Sequence, residues 1–270
     1  MYKIIAMDFD DTILTSDKKV TDYSKKILSL YRNKGYIIVG VTGRSLSSAK
    51  DVCDLSIFNY VILNNGTHIY DVDKNQAECI NLLDINVCEK ITKMFKNQAI
   101  KFDYCSLNNY YMTRLLNRQN KPFLIKINDI SEVNEDISKM NIFLKENDKM
   151  EEIRDEINSK FEVNAFIMQD STSSEKWLVI NPKGLNKCTT LELLCKEHGL
   201  TLDNAIFFGD GLNDVELIQN AGLGVAMGNA LPVVKSVSKD ITLTNDEDGV
   251  AKYITNVLEY SAEGGFYDIL

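Results

Sequence analysis

Five short apolar runs constrain what this chain can fold into more than any other feature. They are "KIIAMD" (residues 3–8), "YIIVGVTGR" (36–44), "YVILNNGT" (60–67), "NAIFFGDG" (204–211) and "GLGVAM" (222–227). They lack strict alternation of apolar with polar residues, so they suit strands covered on both faces, as in a parallel sheet. Each ends at small or polar residues. Between them lie helical periods. In "DYSKKILSLYRNKG", Tyr23, Ile27, Leu30 and Tyr31 recur at helical spacing, and Gly35 supplies a left-handed stop. Leu191, Leu194, Cys195 and His198 repeat the pattern before Gly199. Alternating strand and helix at both ends of the chain predicts a doubly wound α/β domain. Ligands of such sheets gather at the carboxyl ends of the strands.

The middle reads differently. Helical segments ("CEKITKMFKNQ", "KMEEIRDEINSKF") mix with strand-like ones ("KFDYCSLNNYYMT", "NIFLKEN", "FEVNAFIMQD", "KWLVIN"), none ending in the acidic or glycine-rich tails of the outer runs. The expected organisation is a parallel-sheet core in two segments, residues 1–82 and 184–270, with an inserted α+β domain at 83–183.

Composition narrows the class. Of 270 residues, 44% are hydrophobic and 26% charged, an ordinary globular balance, and the net charge of −9 argues against a nucleic-acid partner. No apolar run approaches the ~20 residues of a membrane span, and the first residues lack a signal peptide's apolar stretch. The expectation is a soluble cytoplasmic protein, with no membrane partner, that is a monomer or weak homodimer. Six scattered cysteines without CxxC spacing suit free thiols in a reducing compartment. Two isolated histidines, His68 and His198, do not favour histidine-based catalysis.

The chemistry-bearing residues sit on the tails of the runs. Asp8 and Asp10, two apart in "MDFDDT", share a side of an extended segment, so their carboxyl groups can converge. "GDGLNDVEL" adds Asp210 and, four residues on, Asp214, which a helix opening brings back toward the site. Oxygen donors without Cys or His suggest Mg²⁺. "VTGRS" places Thr42 and Gly43 before a helix, a natural phosphate seat, and "KGLNKCTTLELL" places Lys187 at the entrance of another. An isolated DxD is usually a solvated turn, and an isolated TGR usually a helix cap. Their joint occurrence in this order, each at a strand end or helix start, is what carries weight.

With these motifs the sequence resembles the haloacid dehalogenase (HAD) superfamily phosphatases, and closely their Cof-type branch with a type IIB cap. DxDxT matches Asp8, Asp10 and Thr12. The second motif matches Thr42, the KGxxK lysine Lys187, and GDxxND matches Gly209, Asp210, Asn213 and Asp214. Similarity continues through "NNGT", "AGLGVAMGNA" and "TNDEDGVAKYI", and weakens in the middle of the chain. The resemblance implies a HAD core with an inserted cap and Mg²⁺-dependent hydrolysis of a small phosphorylated metabolite, sugar phosphates first. It implies Asp8 as nucleophile, Asp10 as general acid and base, and Thr42, Gly43, Lys187 and Asn213 around the phosphoryl oxygens. Mg²⁺ would be held by Asp8, the Asp10 carbonyl and Asp210, with Asp214 supporting its waters or Lys187. Asp10 should then hold its proton more firmly than Asp8.

Two positions depart from the family pattern. Asp11 stands where glycine is most common and is expected as a turn residue. Cys188 follows the lysine where glycine is common and is expected as a small filler, a reactive thiol being the alternative. A phosphomutase of the same superfamily is the competing enzyme. A phospho-acceptor signalling module is disfavoured because the third strand end offers Asn64 and Asn65, not Asp.

Overall fold

The computed structural model describes residues 1–114, 121–169 and 175–262. Its first sheet is built on β1 (Ile4–Asp8), a strand with every residue buried. β2 (Ile37–Val41) and β3 (Tyr60–Leu63) extend it on one side. A hairpin of β4 (His68–Asp71) and β5 (Gln76–Cys79) follows on that edge. The strand order, written by residue ranges, is 240–241, 223–226, 205–209, β1, β2, β3, β4, β5. Pairing is parallel as far as β3, and antiparallel from β3 to β4 and β4 to β5. The five apolar runs are therefore strands as expected. The hairpin, which the runs do not announce, makes the sheet mixed.

The helices of this layer are α1 (Asp22–Asn33), capped by Thr21 accepting from the Ser24 amide, and α2 (Leu46–Val52). The buried face of α1 is Ser24, Leu28 and Tyr31, while Tyr23 and Leu30 are exposed. The apolar stripe read from spacing is thus rotated: Leu28 and Tyr31 dock on the sheet, and Leu30 does not.

The chain then builds a second sheet, ordered by residue ranges 163–169, 176–182, 139–144, 99–105, 110–112, 124–126. Its parts in chain order are α3 (Ile85–Phe95), β6 (Ala99–Cys105), β7 (Tyr110–Met112), β8 (Leu124–Lys126), β9 (Lys139–Leu144), α4 (Met150–Lys160), β10 (Val163–Gln169) and β11 (Lys176–Pro182). This sheet has its own apolar cluster, with Ile91, Phe95, Ile142, Ile153 and Ile157 at its centre. Return to the first sheet comes through α5 (Lys187–Glu197), β12 (Ala205–Gly209), α6 (Val215–Asn220), β13 (Leu223–Ala226), α7 (Pro232–Val237), β14 (Asp240–Ile241) and α8 (Gly249–Ala262). The architecture is an α/β core with an inserted α+β cap. Among the described residues no helix is long and apolar enough to cross a membrane.

What matters for function is where the sheet order reverses. From β1 the chain runs outward through β2 and β3, and on the other side through β12 and β13. Asp8 pairs in register with Val41, and Met7 with Phe208. The carboxyl ends of β1, β2 and β12 therefore open side by side into one crevice, the usual ligand position in a doubly wound sheet.

Candidate active site

Asp8 is the last residue of β1, and the chain leaves it through a wide turn, Phe9–Ile13, in which Asp11 has φ +56°. That left-handed conformation is glycine's territory, tolerated by Asp at a modest cost. Asp11 thus takes glycine's usual place as a turn residue, with its carboxylate accepting from Lys18 Nζ at 3.0 Å. Thr12, next along, donates to Asp210 Oδ1 at 3.0 Å and ties the ends of β1 and β12 together.

Lys187 opens α5 behind Asn186, whose side chain caps the helix. Its buried ammonium donates to Asp8 Oδ1 at 2.6 Å and to Asp214 Oδ1 at 2.8 Å. The other oxygen of Asp214 accepts the amides of Asp210 and Gly211 at 3.1 and 3.0 Å. Asp8, Asp210 and Asp214 bring carboxylate oxygens within 4.8 Å of one another. Burial, with the neighbouring carboxylates, pushes Asp8 up to about 7 and Asp210 up to about 8. For Lys187 burial opposes the charge, yet Asp214 and Asp8 outweigh it and hold the ammonium protonated. Three converging hard oxygen donors with one lysine among them fit a small divalent cation.

Asp10 lies differently. Arg44 grips it with two bonds, Nε to Oδ2 at 2.8 Å and Nη2 to Oδ1 at 2.7 Å, and Lys18 stands at 3.3 Å. Burial works against its ionisation, but Arg44 and Lys18 outweigh it and hold Asp10 below the usual carboxylate range. Without a cation, the two acids thus lie on opposite sides of the usual range, Asp8 raised by burial and Asp10 lowered by Arg44, whose bidentate pairing strongly favours the anion.

Thr42 follows β2, and its Oγ1 accepts the Arg44 amide at 3.1 Å. Asn213 donates to Asn65 Oδ1 at 3.2 Å. Asp8, Asp10, Thr42, Gly43, Asp210 and Asn213 line one cavity of about 530 Å³ roofed by the second sheet, a size suited to a small metabolite. Lys187 and Asp214 sit behind its wall. Lys139 crosses from β9 to donate to the Gly43 carbonyl, and the Ser45 amide donates to Tyr110 Oη at 3.2 Å.

Other basic and aromatic residues of the inserted segment face away from this cavity. Arg114 is exposed, Lys121 pairs with Asp51 at 2.7 Å on the surface, and Tyr111 is buried against Asn134. Arg118 lies outside the described residues. Sequence reasoning gave no role to Arg44, Lys139, Asp103 and Asn141. The last three alternate with buried apolar residues on β6 and β9, and that period-2 polarity was the available signal. Cys188 is buried, and burial pushes its thiol up to about 12, away from the reactive thiolate form.

Comparison with known proteins now places the molecule. A family model described as haloacid dehalogenase-like hydrolase matches residues 5–254. The 5-amino-6-(5-phospho-D-ribitylamino)uracil phosphatase YcsE of Bacillus subtilis is 31% identical over 253 residues, covering 93% of this chain and 94% of that protein. A solved haloacid dehalogenase-like hydrolase from Bacteroides thetaiotaomicron superposes with a TM-score of 0.76 at 25% identity, covering 95% of this chain and all of that one, 100%. A solved subclass IIB sugar phosphatase shares the fold with a TM-score of 0.74 at 19% identity, over 94% of this chain and 98% of that one. The chain belongs to the haloacid dehalogenase-like hydrolases. Within them it is a phosphatase, a phosphoric monoester hydrolase.

Proposed function

We propose that this phosphatase is Mg²⁺-dependent, that it forms an aspartyl phosphate on Asp8, and that its substrates are small sugar-phosphate-type metabolites in the cytoplasm. The observation that carries the reading is Asp8 at the floor of a roofed cavity, bonded to buried Lys187 and grouped with Asp210 and Asp214. Asp8, Asp210 and the Asp10 carbonyl would hold the cation, with Asp214 behind. When bound it would neutralise charge on the phosphoryl oxygens and on the carboxylates around it. The domain reading, core at 1–82 and 184–270 with a cap at 83–183, and a monomeric or weakly dimeric state belong to the same proposal.

The chain's own groups divide the work. Lys187 fixes the Asp8 carboxylate so that one oxygen can attack phosphorus. The bond formed is Asp8 oxygen to phosphorus, and the bond broken is phosphorus to the substrate's leaving oxygen. A carboxylate nucleophile splits one difficult displacement into two easier ones. Asp10 gives the leaving oxygen its proton and afterwards takes one from the water that attacks the phosphorus of the aspartyl phosphate, releasing orthophosphate and restoring Asp8. Held by Arg44 and Lys18, Asp10 favours the proton-accepting form. To donate, it must give up the Arg44 pair, and the incoming phosphate offers Arg44 an alternative anionic partner. Thr42, the Gly43 amide and Asn213 position the phosphoryl group, and the second sheet excludes bulk water.

The test pairs orthophosphate release with a melting curve. With Mg²⁺ the protein should hydrolyse sugar phosphates, and chelation should abolish turnover while leaving the fold intact. Mg²⁺ at a hundred times its dissociation constant should stabilise the wild type by about 2.7 kcal/mol, and Asp210→Asn should remove most of that gain. A folded protein that turns over equally with chelator, or that Mg²⁺ does not stabilise, would refute the metal assignment.

A further inference from the structure

Beside the phosphate seat the chain turns with three consecutive residues in the left-handed region. Asn64 has φ +50°, Asn65 +57° and Gly66 +111°. Such backbone costs energy outside glycine and persists only where its surroundings hold it. Here they do. The Asn64 and Asn65 amides donate to the Arg44 and Thr42 carbonyls, each at 3.0 Å. Thr190 Oγ1, in the first turn of α5, donates to the Gly66 carbonyl at 2.7 Å. Asn181 Nδ2, on β11, donates to the Asn65 carbonyl at 3.1 Å.

 

The turn is thereby pinned to the loop at 42–44, to the helix that carries Lys187 and to the second sheet. The buried side chain of Asn65 lies against Gly43: a Cβ on that glycine would stand 3.0 Å from Asn65 Oδ1 and 3.5 Å from its Nδ2. Asn65 and Asn213 both line the cavity.

Asn213 depends on that side chain. Its Nδ2 donates to Asn65 Oδ1 at 3.2 Å, and among the described residues its side chain has no other hydrogen-bond partner. A carboxamide has two sides, an NH₂ that donates and a carbonyl oxygen that accepts. Phosphoryl oxygens accept, so they need the first and are repelled by the second. Asn65 Oδ1 takes one N–H of Asn213 and so turns the amide with its other N–H free for a phosphoryl oxygen. Without that acceptor the amide rotates, and substrate binding would have to supply its ordering.

Resting on the phosphatase reading above, we propose that Asn65 is a positioning residue for phosphoryl transfer: its Oδ1 selects the N–H side of Asn213 and holds it toward the phosphoryl oxygens. Asn65 acts through Asn213, without bonding to the substrate. The pinned turn supplies the rigidity that such a hold needs. Its left-handed backbone favours Asn, Asp or Gly at position 65, and of these only Asn and Asp carry an acceptor for Asn213.

The experiment measures the factor by which Asn213→Ala lowers kcat/KM for one sugar phosphate with Mg²⁺, in three backgrounds: wild type, Asn65→Asp and Asn65→Gly. Each protein is first shown to be folded by its melting curve. In the wild type the factor should be about tenfold or more, as for a hydrogen bond to a charged group. Asn65→Asp keeps the backbone conformation and the acceptor, so the factor should persist. Its added charge acts on both members of the pair and divides out of the ratio. Asn65→Gly keeps the conformation and removes the acceptor, so the factor should fall to about twofold or less, the non-additivity expected of two residues acting as one unit. The same factor in all three backgrounds would overturn the inference, and so would an Asn213→Ala variant as active as the wild type. A factor lost in Asn65→Asp overturns it even where Asn65→Gly does not fold. Each of these outcomes leaves the phosphatase reading standing. No turnover of any ester by folded wild type would instead overturn the phosphatase reading.

Discussion

At the scale of single residues, Asp11 makes the conformational argument testable. With φ +56° it occupies a region where only Gly, Asn and Asp are comfortable. Asp11→Gly should keep activity within a few-fold, whereas Asp11→Val should lose about 1–2 kcal/mol and misplace Asp10. Chemical denaturation and orthophosphate release measure the two effects, and a Val variant as stable as the wild type would contradict the account. His68 tests burial in the same way. It is buried on β4, with Thr67 Oγ1 3.0 Å from its Nδ1. Burial, only partly opposed by Asp136, lowers its pKa to about 4. Because the folded value lies below the unfolded ~6.5, the native state binds the proton less readily. Its contribution is complete above pH 6.5 and is lost as pH falls toward 4, by about 3 kcal/mol in all. The imidazole resonances of a two-histidine chain read this directly, and a His68 midpoint near 6.5 would contradict it.

The four acids and the lysine were legible because each stands next to an apolar run or a helix start. Asp8, Asp210, Asp214 and Lys187 are where the run-and-tail reading placed them. Arg44 was quoted within its motif but given no role. Its partner Asp10 is 34 positions away, and nothing local shows that the two side chains meet. The same pairing lowers the proton affinity of Asp10, which the sequence reading expected to be the firmer of the two acids.

At the scale of elements, the end of β12 shows how tightly strand and site are coupled. A Cβ on Gly209 would come within 2.7 Å of Asp214 Cβ and Cγ, and Asp214 cannot yield freely because Lys187 and two amides hold it. Gly209→Ala should therefore cost about 1–3 kcal/mol and lower turnover, as denaturation and phosphate release would show. Full activity in that variant would mean the Asp214 network is not needed. The parallel strands were readable from their continuous apolar runs. The β4–β5 hairpin was not, since β5 is largely exposed and carries no apolar run. The cap strands were readable as strands, yet their site-facing side was not. Lys101, Asp103, Lys139 and Asn141 look like solvent-facing residues of a half-buried sheet, and only the opposing core makes that face interior.

At the scale of the whole molecule, the sheet reversal at β1 gathers acids from strands far apart in sequence, and the inserted sheet closes over them. On the proposed reading the core supplies reaction chemistry and the cap supplies selection, so substitutions should sort accordingly: core changes lower turnover of every ester, and cap changes alter the ranking among esters. The central claim is that Asp8 is the nucleophile. Orthophosphate release by the wild type and by Asp8→Asn, each with Mg²⁺ and each shown to be folded, tests it most directly. The account predicts a loss of about 10³-fold or more in the variant, with the fold retained. Turnover in Asp8→Asn within tenfold of the wild type would contradict it.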